Sequence, residues 1–321
     1  MRITPLQKLR SLVARGVTTL GHWLGVTAPM PPRRDESIEE AARPTIEPLR
    51  PLERIVLTDG VCRTLFEEFY EHRQGERGDE ETGWVLMGYR KGEEAIAMAT
   101  LPAGADRQAG VAHVRFNSEA QALASRIVRQ SDKHLGIVGV VHTHPGSLRH
   151  PSRGDFEGDS VWVRYLRGRE GVFGIGTADG DEDTPFATQP KAHSQCYLGL
   201  RFTWYALAEG DSAYRPLPVQ VTLGDDLARP LHRVWEEIEA HAARLDRLCC
   251  QLARVGFEVV DDEAGSHLHC VIAVDKKTNI RVVADAKRPL YCLERNGQWL
   301  VSEESDPRID RGVFLMLAEL S

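Results

Sequence analysis

Apolar positions in this chain follow two periods, and each change from one to the other marks a new element. From Asp59 to Arg73, Val61, Leu65, Phe66, Phe69 and Tyr70 recur at spacings of three and four, which predicts an amphipathic helix. WVLMGYR, from Trp84, predicts a strand, GEEAIAMATLPAG a second, and HVRFN the end of a third. SEAQALASRIVRQ reads as a helix capped by Ser118. HLGIVGVVHTHP is a buried strand that ends in a histidine pair, and DFEGDSVWVRYLRG is the helix after it. GVFGIGTA and QCYLGLRFTWYALA are further strands, with the acidic loop DGDEDTPFATQPKAH between them, and RPLPVQVTL closes this unit near Leu223.

A second unit starts near Leu227. LARPLHRVWEEIEAHAARLDRLCCQLARVG reads as one long amphipathic helix with Gly256 as its C-cap. FEVV, HLHCVIAVD, NIRVVAD, LYCLE and QWLVS follow as strands, DKKTN as a hairpin between two of them, and RGVFLMLAEL as a closing helix. The expected architecture is therefore mixed α/β, of the α+β kind. A β-sheet flanked by helices fills residues 52–223, and a smaller α+β domain of about 95 residues fills 227–321. Ahead of them, residues 1–28 read as a basic amphipathic segment, helical from about residue 4 to 25. Six prolines between Pro29 and Pro51 make 29–51 an extended linker.

Composition narrows the classes. Charged residues make up 27% and apolar ones 42%, as in an ordinary globular protein, and the net charge of -7 gives nucleic acid no footing as main partner. The N-terminal apolar run is too short and too interrupted by His22 and glycine to span a membrane or serve as a signal peptide; it reads as a surface helix packing on its own domain or on a partner, with membrane-surface attachment as the lesser alternative. The six cysteines form no C-x-x-C motif and fit a reducing cytoplasm.

Chemistry concentrates at His142-Thr143-His144-Pro145, followed by Ser152 and Asp155. Residues two apart on a strand share a face, so both imidazoles can reach one ion, and Asp155 can add an oxygen once the loop folds back. Three such ligands leave a coordination position open, as hydrolytic metal sites require, and they suit Zn²⁺. Glu81, just before the strand from Trp84, is the candidate base for the water, with Glu80 adjoining it as an alternative. Ser152 is the candidate oxyanion donor.

Plainer readings exist for each. An H-x-H pair on a strand is commonly coincidence, and His267-Leu268-His269 is read as a sheet face. Ser152-Arg-Gly-Asp155 also resembles a helix-capping box, which accounts for Ser152 and Asp155 but not for the histidines. His150 is a loop residue, and His193 with Cys196 lacks further ligands for a second metal.

The combined pattern resembles the JAB/MPN family of zinc metalloproteases, also called JAMM. Its signature is a distant Glu, then H-[ST]-H-P, then Ser and Asp three apart. Here these positions read Glu81, His142 to Pro145, Ser152 and Asp155, with ten residues between His144 and Asp155. ETGWVLMG is similar to the family's strand start, with Trp84 where glycine is common. The resemblance covers roughly 52–223 and is closest to bacterial, deubiquitinase-like members. It implies a cytidine-deaminase-like sheet flanked by helices, with Zn²⁺ on His142, His144 and Asp155, Glu81 as acid/base and Ser152 as oxyanion donor. It further implies cleavage of peptide or isopeptide bonds at the C-terminus of a ubiquitin-like modifier, in deconjugation or precursor processing. The partners implied are the ubiquitin-like protein or its conjugate, and activating or conjugating enzymes of the same pathway, antiphage systems included. A small-molecule or peptide amidase with the same zinc site and a non-catalytic interaction module are the alternatives.

Overall fold

The computed structural model describes residues 49–104, 108–109, 114–180, 187–263 and 265–320. The expectations for 1–28, for nearly all of the 29–51 linker and for the middle of the acidic loop lie outside the described residues. In chain order the elements are β1 (Arg54–Thr58), α1 (Asp59–Gln74), β2 (Gly83–Lys91), β3 (Glu94–Pro102), β4 (Gln108–Ala109), β5 (Val114–Arg115), α2 (Ser118–Val128), β6 (Gly136–Thr143), α3 (Arg153–Trp162), β7 (Glu170–Thr177), β8 (Thr188–Lys191), β9 (Ser194–Tyr197), β10 (Leu200–Ala208), β11 (Arg215–Pro216) and β12 (Val219–Thr222). There follow α4 (Arg229–His232), α5 (Trp235–Gln251), β13 (Val255–Asp262), β14 (Gly265–Ala273), β15 (Thr278–Ala284), β16 (Leu290–Arg295), β17 (Gln298–Val301) and α6 (Ile309–Leu320). The mixed α/β class read from the sequence is the class observed. No described helix is long and apolar enough to cross a membrane, and none of the six cysteines forms a disulfide.

Two compact units result. One holds Glu47–Asp246 with Val259–Leu268, the other Arg247–Glu258 with His269–Ser321. The large sheet runs β12-β1-β3-β2-β6-β7-β10-β9-β8, with β11 on β10. At its centre β6 lies antiparallel to β2 and parallel to β7. One face carries α1, whose Val61, Leu65 and Phe69 join Leu57, Trp84, Phe202 and Trp204 of the sheet in one core. A smaller core of Val140, Val163, Phe173, Ile175, Tyr205 and Leu207 has Phe156, Trp162 and Tyr214 against it. The smaller sheet is antiparallel along β15, β16 and β17 and runs in the order β13-β14-β15-β16-β17.

Five local expectations need correction. The cap of α2 is Asn117, whose side chain accepts from the amides of Glu119 and Ala120, so Ser118 is the first helical residue. QCYLGLRFTWYALA is a hairpin, because Leu198 and Gly199 both take positive φ (54° and 72°) and turn β9 into β10. RPLPVQVTL divides into β11 and β12. The long helix after Leu227 is two helices. The amides of Arg233 and Val234 reach back three residues, to Pro230 and Leu231, tightening the backbone between α4 and α5. Gly256 lies in β13 and caps nothing.

A buried polar cluster fixes α4. Glu68 accepts from His232 Nδ1 (2.6 Å), Arg229 (2.7 Å) and the Trp84 indole (2.8 Å). His232 Nε2 faces the Thr100 carbonyl at 2.7 Å. Acceptors on both ring nitrogens require the imidazolium form. Burial alone would lower the pKa of His232, but the Glu68 carboxylate outweighs it and raises it. Burial likewise opposes ionisation of Glu68, and His232 reverses that, leaving its pKa lowered. The histidine's contribution to stability is therefore whole below its ordinary value of about 6.5 and is lost as pH rises through its raised folded value. The carboxylate's is whole above about 4.3 and is lost as pH falls through its lowered one. We expect the urea midpoint to fall between pH 6 and pH 9. His232→Leu should cost roughly 2 kcal/mol at pH 6 and flatten that fall. An undiminished slope in the variant would refute the assignment.

Candidate metal centre

The histidine pair stands where β6 runs out. Val140 and Val141 continue the sheet, and Pro145, lacking an amide hydrogen, stops it. His142 pairs with Gly83 of β2 and Ile175 of β7. The Thr143 amide bonds the Thr82 carbonyl at 2.9 Å, and the His144 amide bonds the Gly176 carbonyl at 2.8 Å. The backbone of both histidines is thus held from two sides. Gly83 allows this closeness, because a Cβ there would stand 2.5 Å from the Val141 carbonyl oxygen. Both rings are buried, His142 at 7% exposure and His144 at 5%.

Asp155 comes from the first turn of α3. Ser152 is the N-cap, its hydroxyl accepting from the Asp155 amide at 3.2 Å, and the Asp155 carboxylate accepts from the Ser152 amide at 2.5 Å. The capping box is therefore real, and it does not compete with the metal reading. It points the same carboxylate at the imidazoles. Asp155 Oδ1 lies 3.3 Å from His142 Nε2, and Oδ2 lies 3.4 Å from His144 Nε2. The two Nε2 atoms are 3.2 Å apart. Ligands about 2.0–2.1 Å from one tetrahedral ion stand about 3.3–3.4 Å from each other, which is close to the spacing of the Nε2 pair and of each Nε2 from its nearer carboxylate oxygen, and one donor atom from each residue lies within 4.8 Å of the others. Among the described residues this is the one cluster of three such donors.

The ring of His144 is also oriented for ligation. Its Nδ1 donates to the Leu148 carbonyl at 2.7 Å, which leaves the Nε2 lone pair facing Asp155 and His142. In the metal-free protein, burial would lower the His144 pKa. Hydrogen bonds to Asp155 and Leu148, with the charges of Asp155 and Glu81, raise it instead. Burial of Asp155 favours the neutral acid, but hydrogen bonds from His142 and His144 hold it far below the usual carboxylate range.

The two acidic candidates before β2 have different surroundings. Glu81 is 3% exposed and close enough to His144 to act on its charge. Glu80 turns away, with Arg77 Nε donating to it at 2.7 Å. The β2–β6 register explains the difference, since it carries the residue two before Gly83 to the level of the residue two after His142. Trp84, at the position where the resemblance leads one to expect glycine, is buried, with its indole on Glu68. His150 is exposed in the loop and meets the Tyr205 hydroxyl at 2.7 Å. His193 packs near the Tyr205 ring, with centroids 6.3 Å apart, and Cys196 is buried in β9. His267 pairs with Asp262 at 3.3 Å, and His269 lies against Trp299, so neither joins a three-donor cluster.

Asp159 is a residue that the sequence reading missed. One turn beyond Asp155 on α3, it lies within electrostatic reach of both His142 and Asp155. Burial pushes its pKa up to about 6, although the Tyr214 hydroxyl donates to it at 2.7 Å. Its spacing of four from Asp155 placed it on the same helical face and was the available signal.

Residues 63–184 match the family described as prokaryotic homologs of the JAB domain. That segment is a domain of this family, and it contains Glu81, His142, His144, Ser152, Asp155 and Asp159. No curated protein matches the chain. Among solved structures, the solution structure of protein DSY2949 from Desulfitobacterium hafniense aligns at 15% identity over 53% of this chain and 94% of that one, with a TM-score of 0.36. A His-His-Asp candidate metal site in a JAB domain is consistent with a JAMM-like metallohydrolase.

Ligation needs neutral imidazole, and His144 holds its proton more tightly than usual, so protons and metal compete. We expect zinc affinity, measured by chelator competition, to weaken by about tenfold per pH unit below the raised His144 pKa. Asp155→Ala should abolish one-to-one binding. Affinity that is flat from pH 7.5 to 5.5, or retained in the variant, would contradict the site.

Proposed function

We propose that this protein is a zinc-dependent isopeptidase or protease acting at the C-terminus of a ubiquitin-like modifier, in deconjugation or precursor processing. The observation that carries the reading is a triangle of donors spaced for one ion, with buried Glu81 beside it, in a prokaryotic JAB domain. The ubiquitin-like protein or its conjugate is the proposed partner, together with activating or conjugating enzymes of the same pathway. The cysteines, none in a disulfide, support a cytoplasmic setting.

His142, His144 and Asp155 would hold the zinc, which supplies Lewis-acid activation of water near neutral pH. Glu81 takes the proton of the attacking water and passes it to the leaving amine. Its burial beside His144 keeps bulk water from competing for that proton. Ser152 Oγ accepts from the Asp155 amide, so its own proton remains to donate to the developing oxyanion. The capping contacts fix the direction of that hydroxyl before substrate arrives.

Modifier-fusion and isopeptide substrates test this with the zinc-loaded full chain. We expect Glu81→Gln to lower kcat/KM by about 10²–10⁴-fold with zinc content unchanged. Ser152→Ala should cost about 10²–10³-fold in kcat, and about 1 kcal/mol of stability from the lost cap. Equal turnover by wild type and Glu81→Gln sinks the mechanism. Cleavage of short acyl-amino substrates alone, with protein fusions untouched, sinks the substrate class.

A further inference from the structure

The segment that delivers Ser152 and Asp155 has little of its own to hold it in place. Residues 146–150 are exposed, and no side chain of α3 is fully buried, although Phe156 and Trp162 pack partly against the smaller core. Two tyrosines on the sheet side hold this segment at points flanking the ligand. Tyr205, at 3% exposure on β10, donates its hydroxyl to the Arg149 carbonyl at 2.9 Å, three residues before Ser152. Tyr214, next to β11, donates to Asp159 Oδ2 at 2.7 Å, four residues after Asp155. The two rings meet edge to face with centroids 6.1 Å apart. Tyr214 also packs against Phe156 and Phe173, at 5.9 and 5.6 Å. The Arg149 side chain adds a bond to Asp179 at 2.5 Å. Both tyrosines lie beyond residue 184, outside the segment that matches the family.

We propose that Tyr205 and Tyr214 form a clasp that positions Asp155, and that their hydroxyl groups set the metal affinity of the site. The inference rests on the metallohydrolase reading. Metal sites tolerate about ±0.2 Å in ligand distance, a demand beyond what the partial burial of Phe156 and Trp162 sets for the first turn of α3. A hydrogen bond at each flank meets it. Loss of the Tyr214 hydroxyl leaves the ring in its aromatic packing and removes only the bond to Asp159, so α3 is expected to persist with Asp155 less well aimed. Tyr205 and Tyr214 act through the backbone and through Asp159, and are positioning residues.

The test uses the full chain and the metal alone. Zinc affinity by chelator competition, and the visible absorption of the Co²⁺-loaded protein, are read for wild type, Tyr214→Phe, Tyr205→Phe, Asp159→Asn and Asp159→Leu. Wild type is expected to bind one ion. Tyr214→Phe and Tyr205→Phe should each weaken binding by about 10–100-fold and alter the Co²⁺ spectrum, with metal-free melting close to wild type. Asn keeps an oxygen that can accept from Tyr214, so Asp159→Asn should stay within a few-fold of wild type while Asp159→Leu follows Tyr214→Phe. Affinities and spectra in both Phe variants that match wild type overturn the clasp. So does an Asp159→Asn loss as large as that of Asp159→Leu, because charge and not the hydrogen bond would then be the cause. A wild type that takes up no ion overturns the metal reading itself, and the clasp with it.

Discussion

The register that sets Gly83 opposite His142 is the constraint on which the site depends. Strand side chains alternate between faces, so a slip of one residue would send both imidazoles into the opposite core and Glu81 away from them. Several features lock it. Gly83 leaves no room for a Cβ against the Val141 carbonyl. Thr82 and Thr143 exchange bonds through both backbone and side chain, at 2.9 and 3.0 Å. On the far side, β7 holds His144 by its amide. The alignment of base and ligands is therefore a property of the sheet.

The third ligand is held differently. Asp155 is at once a capping residue and a candidate metal donor, and the two tasks share one geometry. The short Asp side chain, in place of the usual Glu or Gln of a capping box, keeps its carboxylate at the helix end. There the positive end of the helix dipole favours the ionised form, in the same direction as the hydrogen bonds from both imidazoles. A reading that set capping against ligation posed a choice that the molecule does not make.

Much of the site was legible because its determinants are local or carry a fixed spacing. His142 and His144 follow from a period of two, and Ser152 and Asp155 from the first turn of a helix. Glu81 is sixty-one residues before His142, and no local spacing ties it to the histidines or separates it from Glu80; the sheet register is what places it. Tyr205 and Tyr214 left no signal, since each acts through long-range contacts to the loop and to Asp159. Among the elements, long periodic runs such as α1 and β2 were readable. The errors fell where one or two residues redirect the chain, at Leu198-Gly199 and at Arg233-Val234, because short turns interrupt a period without changing the residues on either side.

The separation of Glu81 from the candidate metal donors along the chain also has a bearing on folding. The three candidate donors lie within fourteen residues of one another along the chain. Glu81, the proposed base, joins them only when β2 closes on β6. A chain in which β2 has not paired with β6 would lack Glu81 beside the candidate donors, and with it the proposed hydrolytic step.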